Sequence, residues 1–330
     1  MGSTATHFAG IDVSKATLDA CLLAPDGSTR ERAFANDPAG HAALLAWADR
    51  HAAGAVVHFG MEASGGYEDA LATALRTAGR PVGVVNPTRV KYAGLVRGRR
   101  NKTDKADARL IAQYVRDHRP PAWAPPPPEV RELQALVRRR DDLRQLAAAE
   151  KARLDSPLLT PAARKSVERT IRLLGREADR MQAAADALIA ASPALRADRD
   201  LLVTIPGVGP QTASTIVAEL PRLDRVPSAQ AAAAYCGLAP REFRSGTSVR
   251  GRTRLSKAGN ARLRKALYLP TLTAVRFNPV LAGFFDRLVA AGKPRMQAVG
   301  ACMRKLVMIC YGVLRNRAPF DPAWASRITR

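Results

Sequence analysis

Asn101-Lys-Thr-Asp-Lys-Ala-Asp-Ala-Arg109 is the stretch on which the fold of this chain turns. It carries two carboxylates, Asp104 and Asp107, three residues apart. The run that follows, Ala108 to Val115, has helical spacing, and an i,i+3 pair on a helix faces one way. Thr103 or Asp104 can cap the helix start, because a side-chain oxygen there accepts from backbone N–H groups that lack partners. Upstream, Arg89 to Lys102 holds six basic residues and no acidic one, among them Arg97, Arg99, Arg100 and Lys102. Two carboxylates beside a cationic collar suit a divalent metal next to a phosphate. Taken alone, the pair is better read as a solvated first turn, where the helix dipole favours acids. The rest of the chain changes that balance.

Before this stretch the chain alternates between strand and helix signals. His7 to Val13, Thr17 to Ala24 and Arg30 to Ala35 read as three strands of a meander, with a turn at Pro25-Asp-Gly-Ser28. Pro38 to Arg50 has helical spacing. Ala55 to Gly60 reads as a fourth strand with Glu62 at its end, and Ser64 to Thr77 as a helix. Pro81 to Val85 is a fifth strand, and Pro87 to Leu95 another helix. Three strands followed by helix-strand-helix-strand-helix is the element order of a ribonuclease-H-like sheet. In that layout Asp12 lies on the central strand, Glu62 ends its neighbour, and Asp104 and Asp107 come from the last helix. Four such acids can hold two Mg²⁺ about 4 Å apart, the arrangement that two-metal phosphoryl chemistry uses. Singly, each has a bland alternative, Asp12 as a strand-end cap and Glu62 as a loop charge.

The chain has 330 residues, enough for two domains with separate cores, and 52 Lys and Arg stand against 29 Asp and Glu, a formal net charge of +23. Such an excess calls for a polyanion, with nucleic acid ahead of an anionic membrane. Leu306 to Leu314 is only half of the roughly 18 apolar residues that a membrane span needs. The four cysteines, Cys21, Cys236, Cys302 and Cys310, lack CxxC spacing, so neither a zinc site nor a disulfide framework is expected. No signal peptide is read, and a cytoplasmic, nucleoid-associated location is expected.

Pro120 to Pro128 reads as a stiff extended linker, since consecutive prolines favour polyproline II. Beyond it, Leu133, Leu136, Leu143 and Leu146 mark one helical stripe. Val167, Ile171, Leu174, Ala178, Met181, Ala185 and Leu188 then alternate by four and three, a heptad seam. Together they suggest an antiparallel helical hairpin used for dimerisation, with two core helices of a bundle as the alternative. Ile205-Pro-Gly-Val-Gly209 lies between apolar helical segments and resembles a helix-hairpin-helix, in which Gly207 and Gly209 let backbone N–H groups approach a phosphate. Arg241 to Lys265 is the most basic window, with nine Lys or Arg and one Glu. Its Gly-, Ser- and Thr-rich part reads as a mobile basic loop in which Arg244, Arg250, Arg252, Arg254 and Lys257 contact phosphates, and a helix starts near Ser256 or Asn260. Ser245 and Ser248 stand among these cations. Most such serines are turn or phosphate-contact residues, but a cationic setting also favours an alkoxide nucleophile.

Gly10-Ile-Asp-Val-Ser-Lys15, Glu62-Ala-Ser-Gly-Gly-Tyr67, Asn86-Pro87, Arg100 to Arg109, Ile205 to Gly209, Gly237-Leu-Ala-Pro-Arg241 and Ser245-Gly-Thr-Ser-Val-Arg-Gly251 together resemble the transposases of the insertion-sequence-110 family, recombinases guided by a bridge RNA. The likeness runs in order from about residue 7 to about 322. It implies a RuvC-like DEDD catalytic domain over 1–127 whose four acids match Asp12, Glu62, Asp104 and Asp107. It also implies a coiled-coil hairpin over 128–195 and a helical C-terminal transposase domain over 196–330, with Ser245 as nucleophile. Mg²⁺ or Mn²⁺ as cofactor, donor and target DNA and a structured RNA as partners, and a homo-oligomer from dimer to tetramer follow from it. Two other functions stay open on the residues alone. A junction-resolving nuclease using water would keep the four acids without needing Ser245. A non-enzymatic nucleic-acid-binding protein would need neither.

Overall fold

The computed structural model describes residues 6–97, 104–221, 223, 226–241, 244–245, 249–250 and 253–323, with the backbone alone at 104, 105, 244, 245, 249 and 250. The chain divides into two compact units, Met1–Pro126 and Pro127–Arg330.

The first unit is built on a five-stranded sheet. Strands β1 (His7–Val13), β2 (Thr17–Leu23) and β3 (Thr29–Ala35) form an antiparallel meander. Helix α1 (Pro38–Ala52) leads to β4 (Val57–Glu62), and α2 (Asp69–Thr77) leads to β5 (Val82–Val85). The spatial order is β3-β2-β1-β4-β5, with β4 and β5 parallel to β1. This mixed sheet, with β1 at its centre, is compatible with the expected ribonuclease-H-like layout. Helices α3 (Pro87–Val96) and α4 (Asp104–His118) complete the unit.

Strand alternation divides the core between the two faces of the sheet. Ile11, Val13, Leu18, Phe59 and Met61 pack with Leu44, Trp47, Leu71 and Leu75 of α1 and α2. Phe8, Cys21 and Leu23 point the other way, to Ala108, Ile111, Ala112 and Val115 of α4. Helix α4 lies so close to the sheet that β1 and β4 each present a glycine to it. A Cβ on Gly10 would stand 2.1 Å from the Ala112 nitrogen and 2.2 Å from the Ala108 oxygen, both backbone atoms. A Cβ on Gly60 would stand 2.1 Å from Cγ2 of Val115. The first part of the proline-rich linker is pinned to this unit, because the Trp123 N–H donates to the Val82 oxygen at 2.7 Å and Arg76 donates to the Trp123 oxygen at 2.9 Å.

Two long helices open the second unit, α5 (Pro128–Arg153) and α6 (Pro161–Ala191). They run antiparallel: Arg140 bonds Gln182, Arg144 pairs with Asp179, and Arg164 reaches the Leu154 oxygen. The buried stripe of α5 is Leu133, Val137, Arg140 and Leu143. The expected stripe is therefore corrected: Leu146 is half exposed, because at 3.6 residues per turn it falls roughly 120° from the centre of the face that Leu133, Val137, Arg140 and Leu143 share. The root of the hairpin shares a core with α7 (Pro193–Val203) and α8 (Pro210–Glu219) through Leu195 and Ala218.

Helix α9 (Ala229–Tyr235) is followed by two short pairs, β6 (Pro240–Arg241) with β9 (Arg254–Leu255) and β7 (Arg244–Ser245) with β8 (Val249–Arg250). Then come α10 (Ala261–Ala266), α11 (Tyr268–Phe277), α12 (Pro279–Ala290) and α13 (Arg295–Asn316). Helix α13 is long and apolar enough to cross a membrane by composition, but every residue from Leu306 to Leu314 is buried in the protein core. It is apolar on all sides because helices surround it.

A buried polar network joins the hairpin root to the helices around it. Glu219, only 2 % exposed, accepts from Arg138 Nε at 2.5 Å and Nη2 at 3.0 Å, and from Asn260 Nδ2 at 2.9 Å. Asn260 Oδ1 in turn caps α10 by accepting from the Leu263 N–H. Arg140, also buried, donates to Asp141, Gln182 and Thr215. Burial pushes the Glu219 carboxyl up, but the bonds from Arg138 and Asn260 outweigh it and hold the group below its ordinary value.

Gly10→Ala should destabilise the first unit by about 3 kcal/mol, because backbone atoms cannot rotate away from the new methyl. Gly60→Ala should cost about half as much, since a side chain can shift. Urea midpoints of the two variants check the order. Glu219→Ala should cost about 3 kcal/mol, leaving Arg138 and Asn260 without their acceptor. The Glu219 contribution is present above the unfolded carboxyl value of about 4.3 and is lost as pH falls through the lower folded value. Glu219→Gln should therefore flatten the acid limb of a stability–pH curve.

Candidate functional site

The carboxylates are placed by register. Gly10 pairs with Gly60 across β1 and β4, so Asp12 and Glu62, each two residues further on, return to the same face. That is the face covered by α4. Helix α4 runs opposite to β1: Ala108 and Ala112 lie against Gly10, and Arg119, just past the helix end, covers the Phe8 ring at 4.2 Å. Asp12 is about 6.6 Å beyond Gly10 along the strand, or about four helix residues at 1.5 Å each, which brings it level with the first turn of α4. Asp107 stands in that turn, one helical turn before the fully buried Ile111. Asp12, Glu62 and Asp107 are all half-buried.

Helix α4 runs from Asp104 to His118, starting where Thr103 or Asp104 was expected to cap it and extending past Val115. Thr103, Arg99, Arg100 and Lys102 lie outside the described residues, as does the side chain of Asp104. Among the described residues, no three His, Cys, Asp or Glu side chains form a metal-holding cluster.

A carboxylate that sequence patterning passed over stands in the same row. Asp19 of β2 is the direct antiparallel partner of Asp12 and so shares its face. Within its own strand Asp19 is simply the polar residue between Leu18 and Ala20. The tight turn could have revealed it: the Ser14 N–H donates to the Thr17 oxygen, and a hairpin closed there pairs residue 12 with residue 19.

Asn36 was likewise missed. Its Nδ2 donates to the Ser14 oxygen at 2.8 Å and to the Tyr67 oxygen at 3.2 Å, and its Oδ1 lies 2.9 Å from His41 Nε2. It thus ties the turn after Asp12 to the loop after Glu62. That loop does not begin a helix at Ser64 as expected. Glu68 Oε2 accepts from the Ser64 N–H, the Ser64 hydroxyl and the Gly66 N–H, which folds 64–66 into a turn and delays α2 to Asp69.

The basic residues divide by setting. Arg97 is engaged within its own unit by Gln113 and Asp117 of α4. Arg109 pairs with Glu31 at 2.7 Å, and that bond raises its guanidinium pKa. Gly207, at φ 100°, packs where a Cβ would strike Ala274, whereas Gly209 precedes α8 with open space around it. Ile205-Pro-Gly-Val-Gly209 connects α7 to α8, and of its two glycines Gly207 is packed against α11 while Gly209 is open. Arg244 and Ser245 pair with Arg250 and Val249 through their backbones. Arg252, Gly246, Ser248 and Gly251 lie outside the described residues. Arg254 and Lys257 are exposed. All four cysteines are free and buried, and burial pushes the thiols of Cys21 and Cys302 up to about 11 and that of Cys236 to about 12, which makes them poor nucleophiles or metal ligands.

Comparison with known proteins matches two segments of the chain to transposase families. A DEDD-type IS110 transposase family, described as "Transposase", matches residues 9–161, and a family described as "Transposase IS116/IS110/IS902 family" matches residues 199–286. A pilin gene-inverting protein of Moraxella bovis is 32% identical over 95% of this chain and 97% of its own length. The pilin gene-inverting protein of Moraxella lacunata is 31% identical over the same shares. An uncharacterized 42 kDa protein of the insertion element IS900 from Mycobacterium paratuberculosis is 26% identical over 96% of this chain and 97% of its own. With a sheet that sets Asp12 and Glu62 side by side under α4 and full-length relatives above 30% identity, this chain belongs to the IS110 family of transposases.

Proposed function

We propose that this chain cuts and rejoins DNA strands by phosphoryl transfer through a serine–DNA intermediate, with Asp12, Glu62, Asp104 and Asp107 as metal ligands. The observation that carries this is the shared face of Asp12 and Glu62, level with the first turn of α4. Half-buried carboxylates with no thiol or imidazole in their row suit a hard cation, Mg²⁺ or Mn²⁺. Such an ion would polarise a phosphoryl oxygen and stabilise the departing oxygen. Asn36 holds the two loops that follow Asp12 and Glu62, and so fixes the strand ends that present them.

On this proposal the Ser245 Oγ bonds to phosphorus as the phosphate's bond to the departing strand breaks. The hydroxyl proton passes to an acceptor, and the departing oxygen gains one. A second exchange reverses these bonds and frees the serine. Relatives named for inverting a gene support exchange over hydrolysis, since inversion requires rejoining. The +23 charge and the basic segments at 89–102 and 241–265 suit both DNA and a structured guide RNA.

Two experiments test this. Denaturing gels of trapped reactions should show a protein–DNA adduct that Ser245→Ala abolishes together with recombination, while DNA binding persists. Asp12→Asn should lower strand cleavage about 1,000-fold. Cleavage without an adduct in Ser245→Ala would favour the water-using nuclease, an adduct on Ser248 would move the nucleophile, and indifference to Asp12→Asn would favour a non-enzymatic protein.

The far end of the helical hairpin supports self-association as well. Ala178 and Ala185 of the seam are buried within the chain, but Leu146, Leu158 and Leu173 are 51%, 88% and 50% exposed. Replacing Leu146 and Leu173 by Glu should split the oligomer in a mass measurement. An unchanged mass for the folded variant would remove the hairpin from the interface.

A further inference from the structure

The second unit carries a cavity that neither the carboxylates nor Ser245 use. Its volume is about 1080 Å³, and it opens between the β9–Lys257 segment and the start of α13. Four cations line it, Arg254, Lys257, Lys293 and Arg304, and among the described residues no carboxylate does. Cations converging on one concave wall repel one another and focus their field on any anion that enters.

Three further observations point into the same space. The Nε of Arg304 is buried without a hydrogen-bond partner among the described residues, so a donor already removed from water awaits an acceptor. Lys257 sits at φ 55°, in the left-handed region that costs a non-glycine residue energy. Its N–H donates to the Gly237 oxygen and its carbonyl accepts from Arg264, so the surroundings impose that backbone. The first turn of α13 also borders the cavity, with no acidic residue and no side-chain cap, and the helix dipole adds to the positive field.

The wall between the cations is apolar, formed by Leu238, Leu255 and Met296 among others. A free phosphate would leave that wall unused. A duplex is too broad to enter a cavity just above the small-ligand range of roughly 300–1,000 Å³. A nucleoside with its flanking phosphates uses both surfaces. We propose that this cavity takes one unpaired nucleotide of a nucleic-acid strand, its base against Leu255 and Met296 and its phosphates on Arg254, Lys257, Lys293 and Arg304. The proposal rests on the chain acting on nucleic acid and deepens that function: the protein would grip a strand at an unpaired position, the kind that junctions and structured RNAs supply.

The test uses the full chain and labelled duplexes, DNA and RNA, each fully paired or carrying a single-base bulge. The wild type should bind the bulged form about tenfold tighter in at least one of the two chemistries, and that chemistry identifies the strand. Ala301→Phe, which fills the cavity from α13 without changing charge, should erase the preference and leave paired-duplex affinity within about twofold. Lys293→Ala, on an exposed turn, should lower the log–log salt slope for the bulged form by about one unit and keeps the test open if Ala301→Phe fails to fold. A preference that is absent, or that survives both variants, overturns the pocket. If paired duplexes also fail to bind, nucleic-acid function fails with it, a result distinct from loss of the pocket alone.

Discussion

The approach of α4 to the sheet is the constraint on which the first unit depends. A helix normally stands off a sheet by the length of interlocking side chains. Here Gly10 admits the backbone of α4 itself, at the level of Ala108 and Ala112. That contact fixes the height of the helix on the sheet and, because α4 runs against β1, fixes which turn comes level with Asp12. On the proposed function, a carboxylate site drawing on residues 12, 62 and 107 would need this placement more than any one hydrogen bond. The energy that maintains it is nonpolar burial, spread over Phe8, Cys21, Leu23, Ile111 and Val115.

The second unit solves its positioning problem with buried polar groups. Glu219 and Arg140 are withdrawn from water, and each is stable there only because its partners are complete. Nonpolar packing alone would let the hairpin root slide against α8. Directional bonds from Arg138 and Asn260 to one carboxylate specify a single arrangement. Asn260 also caps α10, so the helix that follows the basic segment begins at a point the network determines.

Much of the fold was legible in the sequence because it is periodic. β1 has the bounds that its apolar run predicts, and the order of strands and helices follows from alternation and turn residues. The strand-end positions of Asp12 and Glu62 were legible because strand ends can be read locally, and register sets the two on one face. Asp19 was not, because its place depends on pairing with Asp12, a relation between strands that one strand's pattern does not contain. Asn36 and Glu219 are harder still: each acts through bonds to segments 22 to 81 residues away. The start of α2 was misplaced for a local reason, since Glu68 drew three donors into a turn that competes with helix. Leu146 was misassigned because a long helix accumulates phase error.

The division of chemical groups along the chain limits how Ser245 can act on the proposed mechanism. A serine hydroxyl is a weak nucleophile until a base or metal activates it. All five histidines, His7, His41, His51, His58 and His118, precede residue 119. From Arg241 to Lys265 the sequence offers nine cations and a single carboxylate, Glu242. Cations stabilise an alkoxide and bind the phosphate it attacks, but an arginine cannot accept the proton. Lysines are protonated at neutral pH unless burial lowers them. Lys305 is such a case, brought to about 8 by burial with its Nζ 3.8 Å from the Phe284 ring centroid, and it lies sixty residues away in α13. On that mechanism the segment would supply nucleophile and phosphate contacts but not full activation. A nucleophile separated in this way from its activator would stay inert until DNA brought the two together, which would suit an enzyme that must not cut a strand it cannot rejoin.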